Sequence, residues 1–120
     1  MYRSFEDLDV WKRACQLAVL VYGAMRECHE FSLRNQMQRA AVSIPSNIAE
    51  GAERGGRDFQ RFLRIARGSA AELRTQLYIA RKVGVLADDS FAAILPELKE
   101  VSKMLTGLSR YLASVPRKTH

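Results

Sequence analysis

The chain has 120 residues, of which 48% are hydrophobic and 27% are charged. A chain of this length and composition is expected to fold as one ordered domain, residues 1–120, around a single core. The longest apolar run is shorter than the roughly 20 residues that cross a bilayer, and the N-terminus lacks the charged start and apolar centre of a signal peptide. We therefore expect a cytoplasmic protein that makes no membrane contact.

The formal net charge of +6 is concentrated in the middle of the chain. Counting Lys and Arg against Asp and Glu, residues 1–50 carry a net charge of 0, residues 51–87 carry +5 and residues 88–120 carry +1. An excess of cations on one segment indicates an anionic partner, most simply RNA or DNA.

Apolar residues recur at alternating spacings of three and four through most of the chain, which predicts amphipathic helices. Short connections between long helices favour an all-α fold, an antiparallel up-down-up-down four-helix bundle. In the first helix the predicted core stripe comprises Leu8, Trp11, Cys15, Ala18, Tyr22 and Met25, widened by Leu17 and Val21. The four predicted helices cover residues 7–28, 32–51, 57–83 and 89–113.

Pro45 lies inside the apolar pattern of the second helix. Because proline has no amide hydrogen, the carbonyl of Ala41 loses its helical partner, and a kink near Pro45 is predicted. On the helical wheel Pro45 faces outward, away from the core stripe. A further hypothesis is that Pro45 packs against the small side chains within residues 66–71 of the third helix. Pro96 is predicted either to bend the fourth helix or to mark its true start.

A polar seam flanks the core stripe of the second helix. Two interpretations remain open. In the first, the seam forms hydrogen bonds to Ser69 or Gln76 of the third helix, or to the carbonyl freed by Pro45, and these bonds fix the helix register. In the second, the seam is a binding site for a small ligand. The seam comprises Gln36, Ser43, Asn47 and Glu50. The structural interpretation assigns packing roles to Ser43, Pro45, Asn47, Glu50 and Ser69.

Six arginines make the third helix the candidate binding surface. One set has the spacing i, i+4, i+7, and a second set recurs every seven residues on an adjacent strip of the same outer face. Rows of guanidinium groups can engage phosphates, and the scarcity of nearby aromatic residues favours recognition by charge and shape. The alternative is a solvated face partly neutralised by Asp58 and Glu72. The predicted nucleic-acid-binding residues are Arg57, Arg61, Arg64, Arg67, Arg74 and Arg81.

Residues suited to catalysis or metal binding are few. His29 is predicted in a loop and His120 at the terminus, and the sequence has no HExxH, GxSxG or Walker motif. Cys15 and Cys28 are too far apart on one predicted helix for a disulfide, and they fit no zinc motif. We therefore expect no enzymatic activity, no cofactor and no metal site.

Three segments resemble the bacterial four-helix bundle family named after proteins encoded in intervening sequences of 23S ribosomal RNA genes. They are FEDLDVWKRA (residues 5–14), QRAAVSIPSNIAEG (residues 38–51) and FLRIARGSAAELRTQLYIARKVGVL (residues 62–86). The resemblance extends from about Phe5 to Leu112. Relatives include accessory variability determinant proteins, which accompany reverse transcriptases in diversity-generating retroelements. The segment CHEFSLRNQ (residues 28–36) departs from the family pattern, because many relatives carry a longer loop there.

The resemblance implies a homopentamer, a basic surface that engages nucleic acid and a partner protein such as a reverse transcriptase, and no established enzymatic activity. We therefore expect a non-catalytic, homo-oligomeric accessory protein that binds RNA, DNA or an RNA–protein complex through the third helix. The alternative is a protein-interaction scaffold that meets an acidic partner. A third hypothesis, a bundle that binds a small ligand, would require an apolar pocket.

Overall fold

The computed structural model of the chain describes residues 4–116. Within that range the fold is all-helical, and the ends of the four predicted helices differ from the observed ends by at most three residues. His120 lies outside the described residues. The elements are η1, a 3-10 helix (Phe5–Asp7), followed by the α-helices α1 (Asp9–Met25), α2 (Phe31–Arg54), α3 (Gly56–Lys82) and α4 (Asp88–Ser114).

The four α-helices pack in a closed ring around one core. Helix α2 contacts α1 and α3, and helix α4 contacts α3 and α1. The short helix η1 covers the α1–α2 side of the ring, and its N-cap Ser4 forms a capping box with Asp7. The Cα atoms span 54 × 21 × 20 Å, so the molecule is a rod whose long axis follows the helices.

Aliphatic and aromatic side chains from all four helices fill the core. The buried face of α2 extends from Met37 to Gly51, and that of α4 from Phe91 to Leu105 with Leu95 half-buried. In α3 one buried residue is polar: Gln76, which is 6% exposed and whose Oε1 has no hydrogen-bond partner among the described residues.

The core face of α1 is rotated relative to the prediction. Tyr22, predicted in the core, is 44% exposed, whereas Val10 and Ala14 are buried. Trp11 and Cys15 are only partly buried. The cause is an ambiguity in the pattern, because residues 10, 14, 17, 21 and 25 form a second apolar series with the same spacing of three and four. Packing in the folded bundle selects the second series, in which Ala14 is fully buried.

Helix α2 continues through Pro45, and Pro45 is buried, so the prediction that it faces outward is wrong. Residues two apart on a helix point about 200° apart. Pro45 is therefore directed away from Ser43, whose hydroxyl lies 2.8 Å from that of Ser69 on α3. This placement argues against docking on the small residues of α3. The prediction assumed one narrow core stripe on the helical wheel. Helix α2 instead packs against α1 and α3, so a wider arc of its surface is buried.

Helix α4 likewise runs through Pro96. The alternative in which Pro96 marks the true start of the helix is therefore wrong. Asp88 and Asp89 occupy the first turn, where carboxylates complement the helix dipole, but no side chain caps that end.

Helices α2 and α3 pack closely at Gly51. This residue is buried, and a Cβ atom placed on it would lie 2.8 Å from Phe62 Cβ and 3.1 Å from Phe59 Cδ1. A single residue, Gly55, links the two helices, and its positive φ of 69° suits glycine. Because the link is so short, the helices are already in contact four residues before it.

The polar seam is present only in part. The Asn47 amide donates to the Ser43 carbonyl at 2.8 Å and to the Ser43 hydroxyl at 2.9 Å, and that hydroxyl pairs with Ser69. Asn47 thus takes the Ser43 carbonyl and not the Ala41 carbonyl that Pro45 frees.

The other two seam residues lie on the exposed surface of α2. Glu50 pairs with Arg54 at 3.2 Å, and Gln36 donates to Ser32 at 3.2 Å. The seam therefore joins α2 to α3 through the Ser43–Ser69 hydrogen bond, and Asn47 supports Ser43 from within α2.

Substitution of Gly51 by alanine should destabilise the protein by about 1–3 kcal/mol, because the added methyl group overpacks the contact with Phe62. Thermal unfolding followed by circular dichroism measures the effect. Gly68→Ala is the matched control, since a Cβ there meets no atom within 4 Å, and it should stabilise α3 by about 0.5–1 kcal/mol. Equal melting temperatures for the two variants would contradict the close approach.

Asn47→Ala should cost about 1–2 kcal/mol of unfolding free energy, because two half-buried hydrogen bonds are lost. Gln36→Ala, on the same helix but exposed, should change stability by no more than about 0.5 kcal/mol. Urea unfolding of both variants measures the difference. Full stability in the Asn47 variant would show that its two hydrogen bonds to Ser43 do not stabilise the seam.

Candidate nucleic-acid interface

The six predicted arginines are all exposed on α3, but they do not share one surface. Arg67 and Arg74 line a groove between α3 and α4. Arg57, Arg61 and Arg64 lie roughly a quarter-turn further around the helix, because each residue advances the direction by about 100°. The strip predicted as one outer face is thus divided between the groove and the adjacent outer flank of α3.

Helix α4 supplies the second wall of this groove. Its exposed face contributes Lys99, Lys103 and Arg110, with the hydroxyl residues Ser102 and Thr106 beside them. Arg74 borders this face as well as the α3 side. No Asp or Glu lines the groove among the described residues. We define the basic groove as the surface formed by Arg67, Arg74, Lys99, Lys103 and Arg110.

The charges of α4 are separated between its two flanks. Residues 99, 103, 106 and 110 follow the spacing i, i+4, i+7, i+11, which aligns them on one face. Glu97 instead points to α1, where its carboxylate accepts from Arg13 at 2.6 Å. The net charge of residues 88–120 gave no indication of this basic face, because the acidic and basic residues of the segment nearly cancel in number. A wheel of α4 projected by charge would have revealed it.

Two of the predicted arginines are engaged within the protein. The Arg61 guanidinium lies 3.7 Å from the Asp58 carboxylate and 4.6 Å above the Phe62 ring. Arg81 lies 4.1 Å above the ring of Phe91. Neutralisation by Asp58, the alternative to phosphate binding, therefore applies at the start of α3.

The groups with shifted pKa values lie outside the basic groove. The hydrogen bond and negative charge of Glu50 raise the pKa of Arg54, which stays protonated throughout the physiological range. Burial raises the pKa of the Cys15 thiol. Cys15 and Cys28 are free thiols, as predicted. Within residues 4–116, no cluster of three or more His, Cys, Asp or Glu side chains is arranged to hold a metal ion.

The described chain is thus an all-helical protein, a ring of four helices with a groove lined by basic side chains. None of the described helices is both long and apolar enough to span a membrane. Residues 6–107 match the family described as 23S rRNA-intervening sequence protein, and the chain belongs to that family. The resemblance stated from the sequence is thereby confirmed.

A solved structure supports the same fold. The chain is similar to a protein of unknown function from the S23 ribosomal protein family of Bacteroides thetaiotaomicron VPI-5482, whose crystal structure was determined at 1.70 Å resolution. The sequences are 24% identical and the TM-score is 0.79, over 84% of this chain and 98% of that chain. A search of curated proteins found no match.

The basic groove should account for most of the affinity for polyanions. Lys99→Gln combined with Lys103→Gln should elute from a heparin column at lower salt than the wild type, because two groove cations are lost. Arg57→Gln combined with Arg64→Gln removes the same charge from the outer flank of α3 and should shift elution less. A larger shift in the Arg57/Arg64 variant than in the Lys99/Lys103 variant would place the anion-binding surface on the outer flank of α3 instead of the groove.

Proposed function

We propose that this protein is a non-catalytic, homo-oligomeric accessory protein that binds nucleic acid through its basic groove. The observation that carries the proposal is the groove itself, in which five basic side chains from two helices converge without a lining carboxylate. Guanidinium and ammonium groups held on a rigid frame bind phosphates by charge-assisted hydrogen bonds. The family is named for 23S ribosomal RNA, which favours RNA as the ligand.

Binding of this kind is directed at the nucleic-acid backbone. Phosphate contacts position a protein and supply affinity, whereas sequence is read through base edges. Arginine, lysine and hydroxyl side chains dominate the groove, and Tyr78 is the one aromatic residue that lines it among those described. The predicted contacts of Arg57, Arg61, Arg64 and Arg81 would lie outside the groove and supplement it.

Fluorescence anisotropy with labelled RNA tests this function. Binding should weaken steeply between 50 and 200 mM salt, as about five neutralised phosphates require. Arg67→Gln combined with Arg74→Gln should weaken binding about equally for all sequences and reduce the salt slope by about 2. The matched control is Arg57→Gln with Arg64→Gln. No detectable binding at low salt would remove the proposal.

The alternative function is a scaffold that meets an acidic protein surface, with a reverse transcriptase as the partner class implied by family resemblance. Its specific support is the exposed apolar surface at the end of α3, where Ile79 is 48% exposed and Val83 is 60% exposed. Nuclease treatment of the protein purified from its host separates the two functions. Co-purifying material lost on nuclease digestion favours the first, and material lost only on protease digestion favours the second.

We also infer an up-down-up-down bundle in which α2 is kinked at Pro45. The direction of the helices is supported by contacts at both ends of α3: Gln60 near its start bonds to Ser109 near the end of α4, and Tyr78 near its end stacks on Phe91 near the start of α4. The absence of an amide hydrogen on Pro45 supports the kink. An experimental structure tests both through the helix directions and the angle between the α2 segments before and after Pro45.

Self-association is supported by the apolar surface of α1. Val19 is 71% exposed and Leu20 is 41% exposed, and both line a shallow groove with Ala93 and Ile94 of α4. An exposed apolar patch of this kind is characteristic of a protein–protein contact. The family resemblance implies five copies related by closed symmetry.

Val19→Glu should shift the oligomer toward the 13.6 kDa monomer, because a carboxylate in an apolar contact is desolvated without a partner. Light scattering coupled to size-exclusion chromatography measures the mass. Val83→Glu, at another exposed valine just after α3, is the control and should leave the mass unchanged. A wild-type monomer at micromolar concentration would contradict self-association.

A further inference from the structure

The basic groove lacks the stacking platform that single-strand binders use. Proteins that bind single strands combine a cationic groove with aromatic side chains on which successive bases stack. Here the lining aromatic is Tyr78, whose ring packs edge-on against Phe91 with centroids 5.2 Å apart. Phe91 is in turn buried and covered by Arg81. Tyr78, 42% exposed, is thus a single aromatic ring, and no second aromatic residue lines the described part of the groove to continue a stack of bases.

The cations of the groove form two rows on neighbouring helices. At 1.5 Å per residue, the α3 row from Arg67 to Arg74 is roughly 10 Å long, and the α4 row from Lys99 to Arg110 is roughly 16 Å long. Packed helix axes lie about 8–10 Å apart. A duplex carries about one charge per 1.7 Å of axis and a single strand half that density. Two rows of cations can therefore meet phosphates of two strands at once.

Hydroxyl groups lie between the rows. Ser102 borders Arg74 on one side and Lys103 on the other, and Thr106 is its neighbour one turn along α4. Both residues are half-buried. A hydroxyl both donates and accepts, so it pairs with a phosphate oxygen or with a ribose 2′-hydroxyl. A-form RNA displays its 2′-hydroxyls along a wide, shallow minor groove that side chains can reach.

From these three features we propose that the basic groove binds base-paired RNA in preference to single-stranded RNA and to duplex DNA. The inference rests on the proposed function, since it names the ligand class of the same surface. The two rows of cations hold phosphates of both strands, and Ser102 and Thr106 contact 2′-hydroxyls. No base edge is read, so affinity depends on the duplex form and not on its sequence.

The expected preference follows from counterion release. With five cations engaged, the slope of log K against log salt is about −4.5 for a duplex and about −3.5 for a single strand. At 0.1 M salt this difference corresponds to about tenfold tighter binding of the duplex. Duplex DNA has a similar charge density but lacks the 2′-hydroxyl.

Fluorescence anisotropy of the full-length wild type tests the proposal with three labelled probes: a 20-base-pair RNA duplex, one of its strands chosen to be unstructured, and the DNA duplex of the same sequence. Tighter binding of duplex RNA than of both other probes supports it. Equal or tighter binding of the single strand, or equal binding of duplex DNA, overturns it while the proposed function stands. If none of the probes binds, the proposed function fails first.

A variant pair assigns the preference to the hydroxyls. Ser102→Ala combined with Thr106→Val should bring the affinity for duplex RNA down to that for duplex DNA. Ser46→Ala, an exposed serine on α2, is the control and should keep the preference. Circular dichroism melting verifies that each variant is folded. Retention of the RNA preference in the double variant overturns the role of the hydroxyls.

Discussion

The approach of α2 to α3 at Gly51 constrains the rest of the fold. Two helices come this close only where one of them lacks a side chain. Here Phe62 and Phe59 occupy the space that a Cβ atom of residue 51 would need. The Ser43–Ser69 hydrogen bond fixes the same pair of helices further along. Once α3 is held in this way, its flank opposite α2 is the surface against which α4 packs. The basic groove forms along that contact.

The distribution of charge around α4 completes the groove. Its acidic Glu97 pairs with Arg13 on the α1 side, so that the cations facing α3 are left without a carboxylate in the lining of the groove. An exposed ion pair adds little stability. Its more important effect is to direct the negative charge to one flank of the helix. A chain with modest net charge thereby presents a surface of concentrated positive potential.

Sequence periodicity predicted the helices and most of the core, because burial of an apolar stripe dominates helix placement. It failed where two stripes compete, as at Val10 and Tyr22 in α1, since only tertiary packing decides between them. It failed at Pro45 because one stripe was assumed where α2 has neighbours on two sides. The binding surface was half-predicted for a related reason: Arg67 and Arg74 were found from α3, whereas the lysines of α4 become neighbours only in the folded ring.

The single-residue link at Gly55 bears on how the chain can change length over evolution. One inserted residue in α2 would turn everything beyond it by about 100°, which would carry the cations of α3 out of register with those of α4. We therefore expect an inserted residue to disturb the groove less in the longer connections at residues 26–30 and 83–87 than at residue 55. The single-residue link between α2 and α3 thus helps to preserve the shape of a surface formed by α3 and α4.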